Sequence, residues 1–138
     1  MEIKIYNTLP PEAKTVRETV FIDEQGFSYD YDEVDDVAVH FVMFENKLPV
    51  AACRVFQFES PKIFALGRLA VKKECRGKNY GSMMLDAAKE YVRSIGGEAL
   101  ILHSQLHAKD FYAKNGFKEY GEIECEEDCP HIWMKFQI

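Results

Sequence analysis

No apolar run in these 138 residues approaches the ~20 consecutive positions that a helix needs to cross a bilayer, so no membrane partner is expected. Positive charge is in short supply: 17 lysines and arginines stand against 23 acidic residues, a net charge of -6. Generic nucleic-acid binding through a basic surface is thereby disfavoured. The four cysteines, Cys53, Cys75, Cys125 and Cys129, include no C-x-x-C pair, and a reducing compartment keeps them as thiols. Cys125, Cys129 and His131 can be imagined as metal ligands, yet their spacing fits no common zinc pattern and a fourth ligand is not evident. No metal is expected. Linker-like composition is missing too, which leaves one domain over residues 1–138. The opening Met-Glu-Ile-Lys-Ile-Tyr is a charged, alternating strand and not a signal peptide, so the cytoplasm is the default location.

What remains is the balance of a soluble globular protein, 47% apolar and 29% charged. Acidity is concentrated at Asp30–Asp36 and Glu119–Asp128. Those clusters suit a cationic substrate, or they are solvated loops that aid solubility.

Periodicity divides the chain. Residues 2–6 alternate as an opening strand. Pro10-Pro11 starts a helix in which Ala13, Val16, Val20 and Phe21 share a face, and Gly26 ends it. Residues 28–36 are polar and read as an irregular loop. Val37–Phe44, Pro49–Phe58 and Ile63–Val71 are three strands, with turns at Glu45–Lys47 and Glu59–Lys62, and their short connections make them antiparallel. From Tyr80 the apolar positions follow a helical stripe to Ile95 that stops at Gly96-Gly97. Ala99–Leu102 reads as a buried strand, parallel to and beside the strand ending at Val71. A short helix over Leu106–Lys114 closes at Asn115-Gly116, and residues 117–123 and 131–137 pair as a terminal hairpin. The order is β-α-β-β-β-α-β-α-β-β.

The stretch from Leu69 to Ser82 carries chemistry. An apolar strand, Leu69-Ala70-Val71, runs into a basic, glycine-bearing loop that opens the long helix. Helix N-termini present unpaired N–H groups and the positive end of the macrodipole, so such a loop is suited to an anion. Arg76 and Lys78 add two mobile positive charges, while Gly77 and Gly81 let backbone approach the ligand. A phosphate or pyrophosphate is the natural occupant.

This element order, with Arg76-Gly77-x-x-x-Gly81 after the fourth strand and Phe111-Tyr112 followed by Asn115-Gly116-Phe117 thirty residues on, resembles the GNAT superfamily of acetyl-CoA-dependent N-acetyltransferases. Within it the chain resembles the small bacterial ElaA/YjcF-like group. That likeness is carried by Val16-Arg17, Val20-Phe21, Glu24-Gln25, Asp35–His40, Gly67–Val71, His131 and Met134. The resemblance implies an α/β (α+β) fold: a mixed, mostly antiparallel sheet of about seven strands flanked by three to four helices. It implies acetyl-CoA as donor and a small-molecule or peptide amine as acceptor. The backbone of Leu69, Ala70 and Val71 would pair with the pantetheine arm, and Arg76, Gly77, Lys78, Asn79, Tyr80, Gly81 and Ser82 would wrap the pyrophosphate. Asn79 stands where the usual signature has its middle glycine. Asparagine tolerates left-handed backbone better than other non-glycine residues, so the loop can keep its shape.

Acetyl transfer needs a neutral amine, a stabilised oxyanion and a proton for the departing thiolate. The resemblance gives the last task to Tyr112; the alternative is a core aromatic on an amphipathic helix. The base is open among Glu24, His40, His103 and His131, since Ala65 stands where histone-modifying relatives carry a glutamate; a water relay, or no dedicated base, fits equally. Arg54 and Arg68 are embedded in apolar strands, where a charge is costly unless paired. They form structural ion pairs with a residue such as Glu24 or Asp36, or, with Glu24, they face the acceptor and bind it. Cys75 is an activated thiolate or an apolar filler. A non-catalytic acyl-CoA sensor is the alternative function, and a third reading makes the terminal hairpin and the acidic loops a homodimer interface.

Overall fold

The computed structural model describes residues 1–126 and 129–138, so the end of the second acidic cluster, Glu127 and Asp128, lies outside the described residues. Seven strands form one mixed sheet in the order β1-β2-β3-β4-β5-β7-β6. They are β1 (Glu2–Tyr6), β2 (Val39–Glu45), β3 (Leu48–Phe58), β4 (Ser60–Val71), β5 (Ala99–Gln105), β6 (Lys118–Glu126) and β7 (Cys129–Gln137). Three α-helices accompany them: α1 (Pro11–Arg17), α2 (Tyr80–Ser94) and α3 (Lys109–Lys114). The chain divides into two compact units, Met1–Phe56 with Leu66–Ala88 and Gln57–Ala65 with Lys89–Ile138.

In the first unit β1 and β3 flank β2, both antiparallel to it. Asn46 and Lys47 take φ of 52° and 68°, the two left-handed residues of a tight hairpin turn whose twist matches the strands it joins. Register slips by one residue after Met43, and Pro49 falls at that irregularity, where its missing N–H is tolerated. Ala13, Val16, Val20 and Phe21 pack on Val42, Ala52 and Ala70. Each large apolar side chain so buried contributes about 1.5–3 kcal/mol.

Several local structures depart from the sequence expectation. The first helix does not stay α: after Arg17 it becomes a π-helix over Glu18–Glu24, and the Gln25 N–H reaches back five residues to the Val20 carbonyl at 3.0 Å. The polar segment 28–36 is not irregular throughout. It closes into a 3₁₀ turn over Glu33–Asp36, capped reciprocally by Asp32 and Asp35. The turn expected over Glu59–Lys62 shrinks to Glu59, at φ 67°, because β4 already begins at Ser60.

In the second unit β7 lies between β5 and β6, antiparallel to both, which is the expected terminal hairpin with longer strands. Every residue of β6 is exposed. Leu100, Leu102, Phe117 and Met134 are buried, and the Lys89 ammonium sits 4.1 Å from the Phe136 ring centroid. Residues 106–108 form a 3₁₀ turn ahead of α3, so the expected single short helix is two pieces. All four cysteines are free thiols; Cys53 and Cys75 are buried and Cys125 is exposed. No described helix is long and apolar enough to cross a membrane.

Candidate functional site

The first unit holds the whole stretch from Leu69 to Ser82. β4 leaves the sheet at Val71, and the next amide, Lys72 N–H, donates to the Val50 carbonyl at 3.0 Å. A 3₁₀ turn over Lys73–Cys75 follows, with Cys75 N–H donating to Lys72 O at 2.8 Å and Arg76 N–H to Lys73 O at 3.3 Å. Gly77 then takes φ 79° and Asn79 φ 68°, so the asparagine does occupy the left-handed region that glycine usually fills. The first bond closing α2 runs from Met83 N–H to Asn79 O at 3.1 Å. Tyr80, Gly81 and Ser82 therefore carry the amides that a helix leaves without intrahelical partners, facing the positive end of its dipole.

The loop's cations are paired with carboxylates. Arg76 donates from both terminal nitrogens to the Glu24 carboxylate, at 2.6 and 2.7 Å, and from Nε to the Val71 carbonyl at 3.0 Å. The Arg76 hydrogen bonds hold Glu24 below the usual carboxylate range. Lys78 Nζ lies 3.7 Å from Glu45, and the Tyr80 hydroxyl donates to the same carboxylate. That bond pushes the Tyr80 phenol up to about 12.

Arg54 and Arg68 are paired, but with neither Glu24 nor Asp36. Arg17, 1% exposed, donates to Asp30 at 2.7 Å and to both oxygens of Asp35 at 2.7 and 2.9 Å. Arg54 donates to Asp32 at 2.6 and 3.1 Å and to Asp35 at 2.9 Å. Arg68 reaches Asp30 at 3.0 Å and Asp32 at 3.2 Å. Three arginines and three aspartates thus form one network, whose half-exposed end is Asp32 and Arg68. Although burial opposes ionisation of Asp35, the hydrogen bonds from Arg17 and Arg54 prevail and hold its carboxyl well below the usual range. His40 is buried beside it with Nε2 2.9 Å from the Asp35 carbonyl. A carbonyl accepts only, so the proton sits on Nε2, and burial keeps the ring neutral. Two signals for this network were open in the sequence: an arginine directly after Val16 on the helix's apolar face, and the Asp32-x-x-Asp35 capping pattern. Arg68 also takes φ 50° within β4, a conformation that costs a non-glycine residue of order 1–2 kcal/mol.

In the second unit Tyr112 lies on α3, its ring edge-on to Phe111 at 5.1 Å and to Phe117 at 6.0 Å. The end of α3 is fixed by Asn115, whose side chain donates to Phe111 O at 2.9 Å, and by Gly116 at φ 91°. His103 stacks on Trp133 at 4.5 Å, with Glu126 2.9 Å from Nδ1. His131 Nδ1 lies 2.8 Å from Cys129 O. Among the described residues no group of three or more His, Cys, Asp or Glu side chains is placed to hold a metal ion. Cys75 is buried in the first unit, as a filler would be.

Residues 9–138 match the acetyltransferase (GNAT) domain family. The uncharacterized N-acetyltransferase YjcF of Bacillus subtilis is 29% identical over 126 residues, 89% of each chain. Escherichia coli ElaA superposes with a TM-score of 0.85 at 26% identity, covering 98% of both chains. An aminoglycoside 6'-N-acetyltransferase solved with coenzyme A shares the fold, with a TM-score of 0.77 at 15% identity over 99% of this chain and 97% of that one.

Proposed function

Because this chain belongs to the GNAT acetyltransferase family, we propose that it transfers the acetyl group of acetyl-CoA to a primary amine of a small metabolite or an exposed protein amine. The observation that carries this reading is the loop at the end of β4. Gly77 and Asn79 turn the backbone through left-handed conformations directly ahead of α2, whose first amides have no intrahelical partners and favour an anion. A diphosphate is the ligand such a cradle fits, held by Arg76, Gly77, Lys78, Asn79, Tyr80, Gly81 and Ser82. Leu69 and Ala70, with the Val71 amide, offer strand backbone to the pantetheine arm. The thioester supplies the acetyl group.

Tyr112 is our proposed acid, and its support is the Phe111–Phe117 sequence match. A phenol near its ordinary pKa of ~10 is protonated at neutral pH and able to donate. The amine must arrive neutral or lose its proton through water, since a lysine-like amine with a pKa of ~10.4 is mostly charged at pH 7. Of the residues first considered as acceptor ligands, Glu24 is engaged by Arg76 and Arg54 is buried against Asp32 and Asp35, while Arg68 stands with Asp32 at the exposed end of the arginine–aspartate network. We place any acceptor contact of that network there. The match from residue 9 to 138 supports reading the chain as one catalytic domain, and free thiols suit a reducing compartment such as the cytoplasm.

The test is thiol release from acetyl-CoA across a panel of amines, polyamines, amino sugars and peptides. Acceptor-dependent release is expected for at least one class. Tight coenzyme A binding with no release on any acceptor would replace the enzyme by an acyl-CoA sensor.

A further inference from the structure

Glu24 ends the π-helix, and there it meets the loop. Its two carboxylate oxygens accept from both terminal nitrogens of Arg76, and Arg76 Nε turns the other way to the Val71 carbonyl. Three of the five guanidinium N–H groups are thereby engaged, and one on each terminal nitrogen remains. The two side chains are 33% and 42% exposed, so the pair stands at a surface where an ion pair adds little to stability. Yet the chain leaves α geometry over Glu18–Glu24 to reach it, and π segments are rare and concentrate at functional positions. The residue so held is the one before Gly77, at the point where the loop turns left-handed.

We infer that Glu24 is a positioning residue for the acyl donor, acting through Arg76. It holds the guanidinium against the end of β4, so the Arg76 charge and the following amides meet the diphosphate of acetyl-CoA already ordered. The rotamer freedom of a long arginine is then lost on folding instead of on binding. This rests on the reading of the loop as the donor site, and it moves Glu24 from the acceptor to the donor side. A bare carboxylate that merely competed with phosphate would have the opposite sign, and that is what makes the inference decidable.

The experiment is calorimetric titration of the full chain with coenzyme A, using wild type, E24A, E24Q, R76A and E24A/R76A, with KM for acetyl-CoA measured alongside. E24A is expected to weaken binding about tenfold, equivalent to about 1.4 kcal/mol, and the loss to appear in KM more than in kcat. E24Q, which keeps one acceptor oxygen for Arg76, should fall between. In the R76A background E24A should change nothing further. Unchanged or tighter binding by E24A overturns the inference, as does an equal loss in the R76A background or a fall in ligand-free melting temperature with affinity intact. Failure of the wild type to bind coenzyme A would instead bring down the donor reading itself.

Discussion

One oxygen of Asp35 serves two arginines: Oδ1 accepts from Arg17 at 2.7 Å and from Arg54 at 2.9 Å. The first arginine comes from α1 and the second from β3, so this buried atom ties the helix, the 3₁₀ turn and the sheet of the first unit together. Removing its charge leaves two buried guanidinium groups with one carboxylate each, Asp30 for Arg17 and Asp32 for Arg54. Asp35→Asn is therefore expected to cost about 1.5–3 kcal/mol of stability, the range for hydrogen bonds to charged groups. Urea denaturation followed by circular dichroism measures it, and a loss below about 1 kcal/mol would mean that the arginines find other partners.

The same neighbourhood sets an acid profile. His40 is held neutral, its pKa depressed by burial, so the folded state binds fewer protons than the unfolded one. Its contribution is full above the ordinary value of about 6.5 and is lost as pH falls through the lowered value. Asp35 and Asp32, both depressed by their arginines, contribute fully above about 3.9 and lose that contribution only in stronger acid. Stability should thus decline in two stages, the first beginning near pH 6.5. His40→Gln should remove the first stage and leave the second, as read from melting temperature against pH.

Much of the molecule was legible because its signals are local. Alternation gave the first strand and the terminal hairpin, a continuous apolar run the buried strand at Ala99–Leu102, Glu45–Lys47 a turn, and the asparagine at 79 a left-handed loop residue. The helix periodicity failed at Glu18 because α and π geometry diverge by only one residue per turn, within what an apolar stripe such as Val16, Val20 and Phe21 tolerates. The ion network was hidden for another reason. Arg17, Arg54 and Arg68 are far from one another in the chain, and a segment as polar as 28–36 looks solvated until the three converge on its aspartates.

Asn79 carries a conformational cost that glycine would not. Asn79→Gly should leave coenzyme A binding within about twofold and stability within a few tenths of a kcal/mol, whereas Asn79→Val, β-branched at φ 68°, should lose about 1–2 kcal/mol. Paired thermal melts decide between them, and a valine variant as stable as wild type would show that the loop relaxes out of the left-handed region.

Tyr112→Phe keeps the ring contacts with Phe111 and Phe117 and removes the hydroxyl. Turnover is expected to fall by about 10²–10⁴-fold, the range for loss of a general acid, with acetyl-CoA affinity little changed. Turnover within twofold of wild type would remove Tyr112 from the mechanism.

The thiols give the experimenter a ready handle. Burial pushes Cys53 far above its ordinary pKa, and Cys75 is enclosed beside the loop, so neither should react with an alkylating dye at neutral pH. Cys125, exposed on β6, should take the label first, ahead of the partly covered Cys129, whose thiol burial also pushes up. A fluorophore placed there without any mutagenesis would report on the terminal hairpin as acceptors are added.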